Sequence, residues 1–295
     1  MRRTIKMKTA LAAILLLLTV GTASANGAGE SADFDSRKHI SVISREDGSG
    51  TRGAFIELFE IEVRGADGSR RDMTTQEAVI SKQTDVMMMN IAGDKYAIGY
   101  ISLGSLNGTV KAVAIDGAAA STANVKNGTY TISRPFYIAT KGKPAPPARD
   151  FIDFILSADG QSVIAKSYTP VNIAPPAYAG GKLSGKIVIA GSSSVTPVME
   201  KLKESYLALN PSVVIEIQQS DSSAGMTAAM NSTCDIGMSS RDLKDSELLQ
   251  LTPVKIASDG IAVIVNKGNP VVNLMKDEVK AIFTGQTTQW SQVIK

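Results

Sequence analysis

One unit recurs three times along this chain: a short run of β-branched residues, a turn of Ser, Thr and Gly, and a segment with helical periodicity. The three turns span residues 48–51, 191–194 and 221–225. Alternation of this kind is typical of an α/β fold, in which helices cover the faces of a sheet. Because a single hydrophobic core stops growing at about 250 to 300 residues, a chain of 295 residues is expected to form two lobes.

Hydrophobic periodicity places the individual elements. Strands are predicted at 40–44, 96–103, 110–115, 186–190, 213–217 and 235–237. Helices are predicted at 51–60 and 148–156, after Ser157, after Pro197, and around 226–230. In the helix after Pro197, the residues expected to form a buried stripe are Val198, Leu202, Tyr206 and Leu209. Residues 171–184 contain Pro-Pro and Gly-Gly pairs, which indicate a linker.

The first 25 residues have the pattern of a secretory signal peptide. Four basic residues precede an apolar run over 9–20, and a small-x-small pattern typical of cleavage follows at 22–25. A retained membrane anchor is the alternative, but the run is shorter than the roughly 20 residues that span a bilayer. No cysteine follows the run to accept a lipid. We therefore expect a flexible segment at 26–38 and a soluble, extracytoplasmic product that is secreted, periplasmic or associated with the cell envelope.

Composition excludes several functional classes. Of the 31 Lys and Arg residues, four lie in the N-terminal segment, so 27 basic residues face 28 acidic ones and no basic surface for nucleic acid is expected. Cys234 is the only cysteine, which rules out an internal disulfide and favours a buried thiol. His39 is the only histidine, so neither a Ser-His-Asp triad nor a histidine-based metal site is expected. We expect no cofactor, and the turns lack the Gly-Lys-Ser/Thr ending of a P-loop.

The three small-residue turns share a chemistry that suits anions. Each places free backbone N–H groups at a helix amino terminus, where the helix dipole also favours negative charge. Arg45 would supply a formal positive charge, and its planar fork can hold a tetrahedral anion in bidentate fashion. Asp47 is expected to hold Arg45 or to accept a proton from the ligand, whereas Glu46 is expected to be solvated. The alternative for Arg45 and Asp47 is a surface ion pair.

The segment 44–52, Ser-Arg-Glu-Asp-Gly-Ser-Gly-Thr-Arg, followed by Phe55, resembles the central motif of PstS-type phosphate-binding proteins. These proteins are the extracytoplasmic receptors of phosphate ABC importers. Further segments similar to that family are 97–102, Arg134-Pro135, 191–195, 235–237, 256–263 and Asn269-Pro270. The resemblance covers nearly all of the chain after the N-terminal segment. It implies a two-lobe periplasmic-binding-protein-like fold of type II, with a hinge and a cleft between the lobes.

The order of the two halves differs from the order in that family. Residues 39–170 resemble its second half and residues 185–295 its first, so we expect a circular permutation joined through the linker. The alternative is a fragment that needs a partner chain to complete each lobe. In the permuted arrangement, 39–295 is the solute-binding domain, lobe A spans about 130–258, and lobe B combines about 36–129 with 259–295.

The resemblance implies a monomer that captures inorganic phosphate for an ABC transporter permease, with no catalytic turnover. The residues it implies for phosphate binding are Ser193, Ser194, Ser222, Ser240, Arg45, Asp47, Ser49, Gly50 and Thr51. Three alternatives stay open: a receptor for another tetrahedral oxyanion such as sulfate, a secreted phosphohydrolase, and an interaction protein with a degenerate cleft. Ser240 stands where well-studied members have an acceptor Asp. Discrimination against sulfate is therefore expected to be weaker, unless Asp47 does the accepting.

Overall fold

Strands and helices alternate through the computed structural model, which describes residues 34–65, 69–171 and 174–294. The predicted signal peptide and most of the predicted flexible segment lie outside these residues. The part of the chain from Phe34 onward forms one compact unit. Within the described ranges, no helix combines the length and the apolar character needed to cross a membrane.

Each predicted strand and helix except the strand at 110–115 has a single counterpart, with bounds that differ by a few residues. The strands are β1 (Ser41–Arg45), β2 (Glu62–Arg64), β3 (Arg70–Asp72), β4 (Val79–Ser81), β5 (Ala97–Ser102), β6 (Lys111–Ala112), β7 (Ala114–Ile115), β8 (Ser133–Thr140), β9 (Thr169–Pro170), β10 (Gly185–Ser192), β11 (Val213–Ser220), β12 (Ile236–Ser239), β13 (Thr252–Val265) and β14 (Asn273–Leu274). The helices are α1 (Gly50–Leu58), α2 (Thr84–Gly93), α3 (Thr122–Lys126), α4 (Pro146–Leu156), α5 (Ala158–Ala165), α6 (Thr196–Leu209), α7 (Ser222–Met230), α8 (Asp245–Leu248) and α9 (Lys276–Phe283), with 3₁₀ turns at Leu103–Ser105 and Trp290–Gln292.

One long strand joins the two halves of the main sheet. The strand order is β11-β10-β12-β8-β13-β5-β1-β4, and β6 and β9 also pair with β13. β13 pairs with β8 along its first half and with β5 along its second half, both antiparallel. β10 pairs in parallel with β11 and β12, and β1 pairs in parallel with β4 and β5. Parallel pairing brings the carboxyl ends of neighbouring strands to the same edge, which is where the small-residue turns follow.

Two hydrophobic cores pack against different parts of this sheet. Core A consists of buried side chains between residues 136 and 257. Core B consists of buried side chains between residues 40 and 132 and between 261 and 290. β8 and β13 therefore both pass from one core to the other. Tyr130 and Ile132 pack in core B, so the first crossing follows Ile132.

Two sequence predictions need correction. The predicted strand at 110–115 is split, because β6 pairs with β13 whereas β7 leaves it to pair with β14. Val198, Leu202 and Tyr206 are buried as predicted, but Leu209 is 54% exposed because it is the last residue of α6, where the helix ends.

Cys234 is buried as predicted, and burial raises the pKa of its thiol to about 11. An unreactive, structural thiol is consistent with that shift.

Candidate functional site

The small-residue turns meet between the two cores. β1 ends at Arg45 on the core B side and is followed by α1, while β10 and β11 on the core A side end at Ser192 and Ser220 and are followed by α6 and α7. A fourth helix, α2, begins at Thr84 after the short strand β4. Amino termini of helices from both sides therefore face one region, and their unpaired N–H groups give it a positive potential.

A buried cluster of one guanidinium and four hydroxyls occupies this region, and we call it the hydroxyl cluster: Arg45, Thr51, Thr84, Ser193 and Ser194. Arg45 Nη2 donates to Ser193 Oγ at 3.1 Å, and its Nη1 donates to Thr84 Oγ1 at 3.3 Å. The Thr51 and Ser194 hydroxyls lie 2.8 Å apart. Thr84 Oγ1 lies 3.3 Å from both serine hydroxyls. No member is more than 4% exposed, so each of these polar groups is held away from bulk water.

A second group of serines lies beside the cluster, where α1 approaches the core A side. Ser192 donates to the Ser240 hydroxyl at 2.9 Å, and the Ser240 amide donates to Ser222 Oγ at 3.0 Å. A Cβ atom at Gly50 would lie 2.5 Å from Ser222 Oγ and 2.8 Å from Ser240 Oγ. Contacts that short are not sterically allowed. Glycine is therefore required at Gly50 for the first turn of α1 to pack against these two hydroxyls.

Glu46, and not Asp47, holds Arg45. Arg45 Nε donates to Glu46 Oε2 at 2.8 Å and its Nη2 to Oε1 at 2.7 Å, a bidentate ion pair. The Arg45 side chain is 1% exposed and that of Glu46 is 17% exposed. Burial raises the pKa of the Glu46 carboxyl, but the hydrogen bonds and charge of Arg45 outweigh it and hold that pKa below its ordinary value.

Asp47 lies at the surface, and its predicted contact with Arg45 is wrong. The Asp47 carboxylate is 96% exposed and pairs with Arg52 Nη1 at 2.6 Å. Arg52 also donates to the Arg45 carbonyl at 2.8 Å and pairs with Asp72 at 2.9 Å. The first turn of α1 therefore draws Asp47 away from the cluster, and the adjacent Glu46 takes the buried position that sequence reasoning left solvated.

A buried phenol fixes the end of β1. Tyr100 OH and Ser44 Oγ lie 2.8 Å apart, and the Arg45 amide donates to Tyr100 OH at 3.1 Å. The Tyr100 ring stacks on Phe55 of α1, with ring centroids 3.8 Å apart. Burial raises the pKa of Tyr100, so the phenol stays protonated and can both donate and accept at neutral pH. This contact ties the strand before the turn to the helix after it.

The structure brings together most of the predicted site residues. Arg45, Gly50, Thr51, Ser193, Ser194, Ser222 and Ser240 lie in the hydroxyl cluster or in the serine group beside it. Ser49 is buried, and its side chain caps α1 by accepting from the Arg52 amide at 3.3 Å. The one predicted residue that lies apart is Asp47.

Thr84 and Glu46 are the residues that sequence reasoning missed. Thr84 starts a helix after a strand, as the other turns do, but its turn contains no glycine. The residue before it, Gln83, has a φ of 70°, a conformation that glycine usually supplies. A search for polar strand-to-helix turns without the glycine requirement would have found Thr84.

A cleft of about 600 Å³ opens beside the serine group. It is lined by residues from both sides, among them Asp47, Ser49, Arg134, Ser223 and Arg241. The Ser223 amide donates to the Gly48 carbonyl at 3.2 Å, which joins the two sides at this cleft. Among the residues that the structure describes, no three His, Cys, Asp or Glu side chains come together as a metal site. The chemistry of the region is that of hydrogen-bond donors around a buried cation.

Comparisons with known proteins identify the family. A family model described as a PBP superfamily domain matches residues 28–159 and 176–295. Phosphate-binding protein PstS 2 of Streptococcus agalactiae serotype V is 51% identical over 272 residues, which cover 91% of this chain and 92% of the relative. The chain belongs to the PstS-type proteins of the PBP superfamily. The resemblance found in the sequence and the predicted α/β, periplasmic-binding-protein-like fold are both confirmed.

Two further PstS-type proteins differ in how much of the chain they match. The crystal structure of a phosphate-binding protein of a phosphate ABC transporter from Streptococcus pneumoniae TIGR4 is 43% identical, with a TM-score of 0.68. The match covers 87% of this chain and 100% of that one. The PstS protein of Staphylococcus haemolyticus is 35% identical over 119 residues, which is 38% of each chain.

Proposed function

We propose that this protein captures inorganic phosphate between its two lobes, outside the cytoplasm, and delivers it to the permease of an ABC importer. The observation that carries the proposal is the hydroxyl cluster, in which Arg45 and two threonines from one side meet two serines from the other. Its PstS-type relatives, named as phosphate-binding proteins, support the same ligand. We take the four buried hydroxyls and the guanidinium as the donors that surround the anion.

The strength of such a site can be judged from its parts. A micromolar dissociation constant corresponds to about 8 kcal/mol. Helix dipoles contribute about 0.3 to 1 kcal/mol each, and four helices begin around the cluster. Hydrogen bonds to a charged group contribute about 1.5 to 3 kcal/mol each. Three or four of these, offset by the cost of closing the cleft, are enough to reach micromolar binding.

The hydrogen-bond partners of the site hydroxyls suit a protein that binds its ligand without catalysing a reaction. The hydroxyls of Thr84, Ser193 and Ser194 bond to one another and to Arg45, and within the described ranges none of them contacts a carboxylate or an imidazole. His39 is exposed and pairs with Gln289 through its backbone. A phosphohydrolase would need an activated nucleophile, so the contacts favour a receptor.

We propose that the two cores mark two lobes in permuted order, which close about the crossings of β8 and β13. Three observations support this arrangement. The Ile40 amide donates to the Thr288 carbonyl at 2.8 Å and the Ser291 amide donates to the Ser36 carbonyl at 2.6 Å, so a short link would join 291 to 36. All strand pairs of the main sheet form within this one chain. The match to the staphylococcal PstS protein covers only 38% of each chain, as expected for an alignment in which only one half keeps its order.

The proposed function is tested by isothermal titration of phosphate-free protein, residues 26–295, with phosphate and then with sulfate, after light scattering has established its oligomeric state. We expect one-to-one, micromolar or tighter phosphate binding by a monomer. Sulfate should also bind, with an affinity less than about a thousandfold below that for phosphate, because Ser240 stands in place of the acceptor Asp and Asp47 is exposed and lies away from the hydroxyl cluster. A folded monomer that takes up no phosphate would refute the proposal.

A further inference from the structure

Arg134 is a buried guanidinium on β8, next to the point where that strand passes from core B to core A. Its side chain is 2% exposed, and its one ion pair joins Nη2 to Asp259 Oδ2 at 3.3 Å. Nε and Nη1 have no hydrogen-bond partner among the described residues. These two nitrogens carry three of the five N–H donors of a guanidinium. Buried donors are almost always paired in folded proteins, so this side chain requires an explanation.

Two other arginines near the cleft have most of their donors satisfied. Arg241 pairs with Glu247 through both terminal nitrogens, at 2.9 and 2.8 Å, and also donates to Ser223 and to the Asp242 carbonyl. Arg45 is bound by Glu46 and by two hydroxyls of the cluster. Arg134 therefore combines a single, long ion-pair contact with the largest number of unpaired donors of the three.

Arg134 lines the cleft that opens beside the anion site. It lines the same cleft as Ser49, the capping residue of α1, and Ser223 of α7. Burial lowers the pKa of Arg134 to about 10, the charge of Asp259 partly offsets this, and the positive charge of Arg45 lowers it again. Arg134 is thus cationic at neutral pH, and the charge of Arg45 acts unfavourably on it. An anion bound near both groups would offset that repulsion.

We propose that Arg134 is a second cationic group of the anion site, and that its Nε and Nη1 donors contact the same phosphate that the hydroxyl cluster binds. The inference rests on the proposed function and adds a residue to it. Asp259 opposes Arg134, because its carboxylate cancels part of the positive charge that the anion experiences. The competing explanation is a purely structural pair that braces β8 against β13, to which Asp259 belongs.

The two explanations predict opposite effects at Asp259. If Arg134 binds the anion, Arg134→Gln weakens phosphate binding about 10- to 100-fold, the effect of losing a charge-assisted hydrogen bond. Asp259→Asn then tightens binding about three- to tenfold, because the competing carboxylate is gone while an acceptor for Nη2 remains. A structural brace predicts that both variants weaken binding together. Arg70→Gln is the matched control, since Arg70 lines the same cleft but is 53% exposed, and its loss should change the dissociation constant less than threefold.

The experiment is phosphate titration of the wild type and of the three variants, each first checked for cooperative unfolding. If the wild type does not bind phosphate, the proposed function fails. If the wild type binds and Arg134→Gln binds within threefold of it, the inference about Arg134 is overturned. If Arg134→Gln does not fold, the melting temperature of Asp259→Asn with and without phosphate tests the inference instead. A phosphate-induced rise larger than that of the wild type supports the inference, and an equal or smaller rise overturns it.

Discussion

Glu46→Gln tests how the site holds its central guanidinium. The amide has the shape of the carboxylate but can accept only one of the two Arg45 N–H groups, and its NH₂ faces the other as a second donor. The substitution also leaves a cation that is 1% exposed without its counter-ion. Breaking a fully buried pair costs about 3 to 5 kcal/mol. Since Glu46 is 17% exposed and one hydrogen bond survives, we expect a loss of about 2 to 3 kcal/mol in the free energy of unfolding.

Phosphate binding should also weaken in this variant. The bidentate pair occupies the Nε and Nη2 side of Arg45, which turns the Nη1 and Nη2 end towards Thr84 and Ser193. In the variant a single hydrogen bond replaces the bidentate contact, so the guanidinium is less fixed and must be ordered when phosphate binds. We expect this cost to exceed the gain from removing a carboxylate near the anion. We expect the dissociation constant to rise about 10- to 100-fold. Urea denaturation of phosphate-free protein measures the first effect, and isothermal titration measures the second.

Asp47→Asn is the matched control, because it removes the neighbouring carboxylate. Asp47 is 96% exposed and paired only with Arg52 in the described contacts, so its loss should cost less than about 0.5 kcal/mol and leave phosphate affinity within threefold. The assignment of Glu46 would be refuted by the reverse pattern, in which Asp47→Asn loses affinity and Glu46→Gln does not. Equal losses in the two variants would refute it as well, because they would indicate a general effect of negative charge.

Three further predictions follow from the same geometry. Gly50→Ala should weaken phosphate binding more than about tenfold in titrations, because its Cβ would overlap two serine hydroxyls, while Gly93→Ala, where no atom lies within 4 Å, should not. Thr84→Val removes one hydroxyl of the cluster and should raise the dissociation constant about 10- to 100-fold, the effect of one hydrogen bond to a charged group. Burial raises the pKa of Asp259 from 3.8 to about 6, so its stabilising contribution is present below about pH 4 and is lost as the pH rises through 6. Urea denaturation between pH 4 and pH 7 should therefore show a smaller fall in stability for Asp259→Asn than for the wild type.

The parts of the fold that the sequence predicts are those whose signals are local. Each small-residue turn carries its own signal, and the hydrophobic stripe of α6 is visible in its own residues up to Tyr206. The prediction that Leu209 is buried is wrong, because the position of the helix end depends on what the helix packs against. The prediction of one strand at 110–115 is wrong for a related reason, since the change of partner from β13 to β14 is decided by residues more than 150 positions away.

The parts of the site that the sequence does not predict depend on side-chain direction and on distant partners. Glu46 and Asp47 are adjacent carboxylates, and spacing alone favours neither of them for Arg45. The choice is made by Arg52, which sits one turn into α1 and pairs with Asp47 at the surface. The buried pair of Arg134 with Asp259 joins residues 125 positions apart, so no local pattern indicates it.

The proposed permutation leaves the site intact, because every contact that builds the site belongs to one of two classes. Contacts of the first class stay within one half of the chain, as those of Arg45 with Thr84 and of Ser192 with Ser240 do, and exchanging the halves leaves them unchanged. Contacts of the second class join the halves across sequence separations of 109 to 148 residues, and they require only that the two sides face each other. The relative orientation of the two sides is set by β8 and β13, which cross between the cores. The linker at 171–184 belongs to neither of these strands. Exchanging the order of the halves therefore changes the connections between them and not the anion site, as expected when the chain ends and the linker lie away from the site.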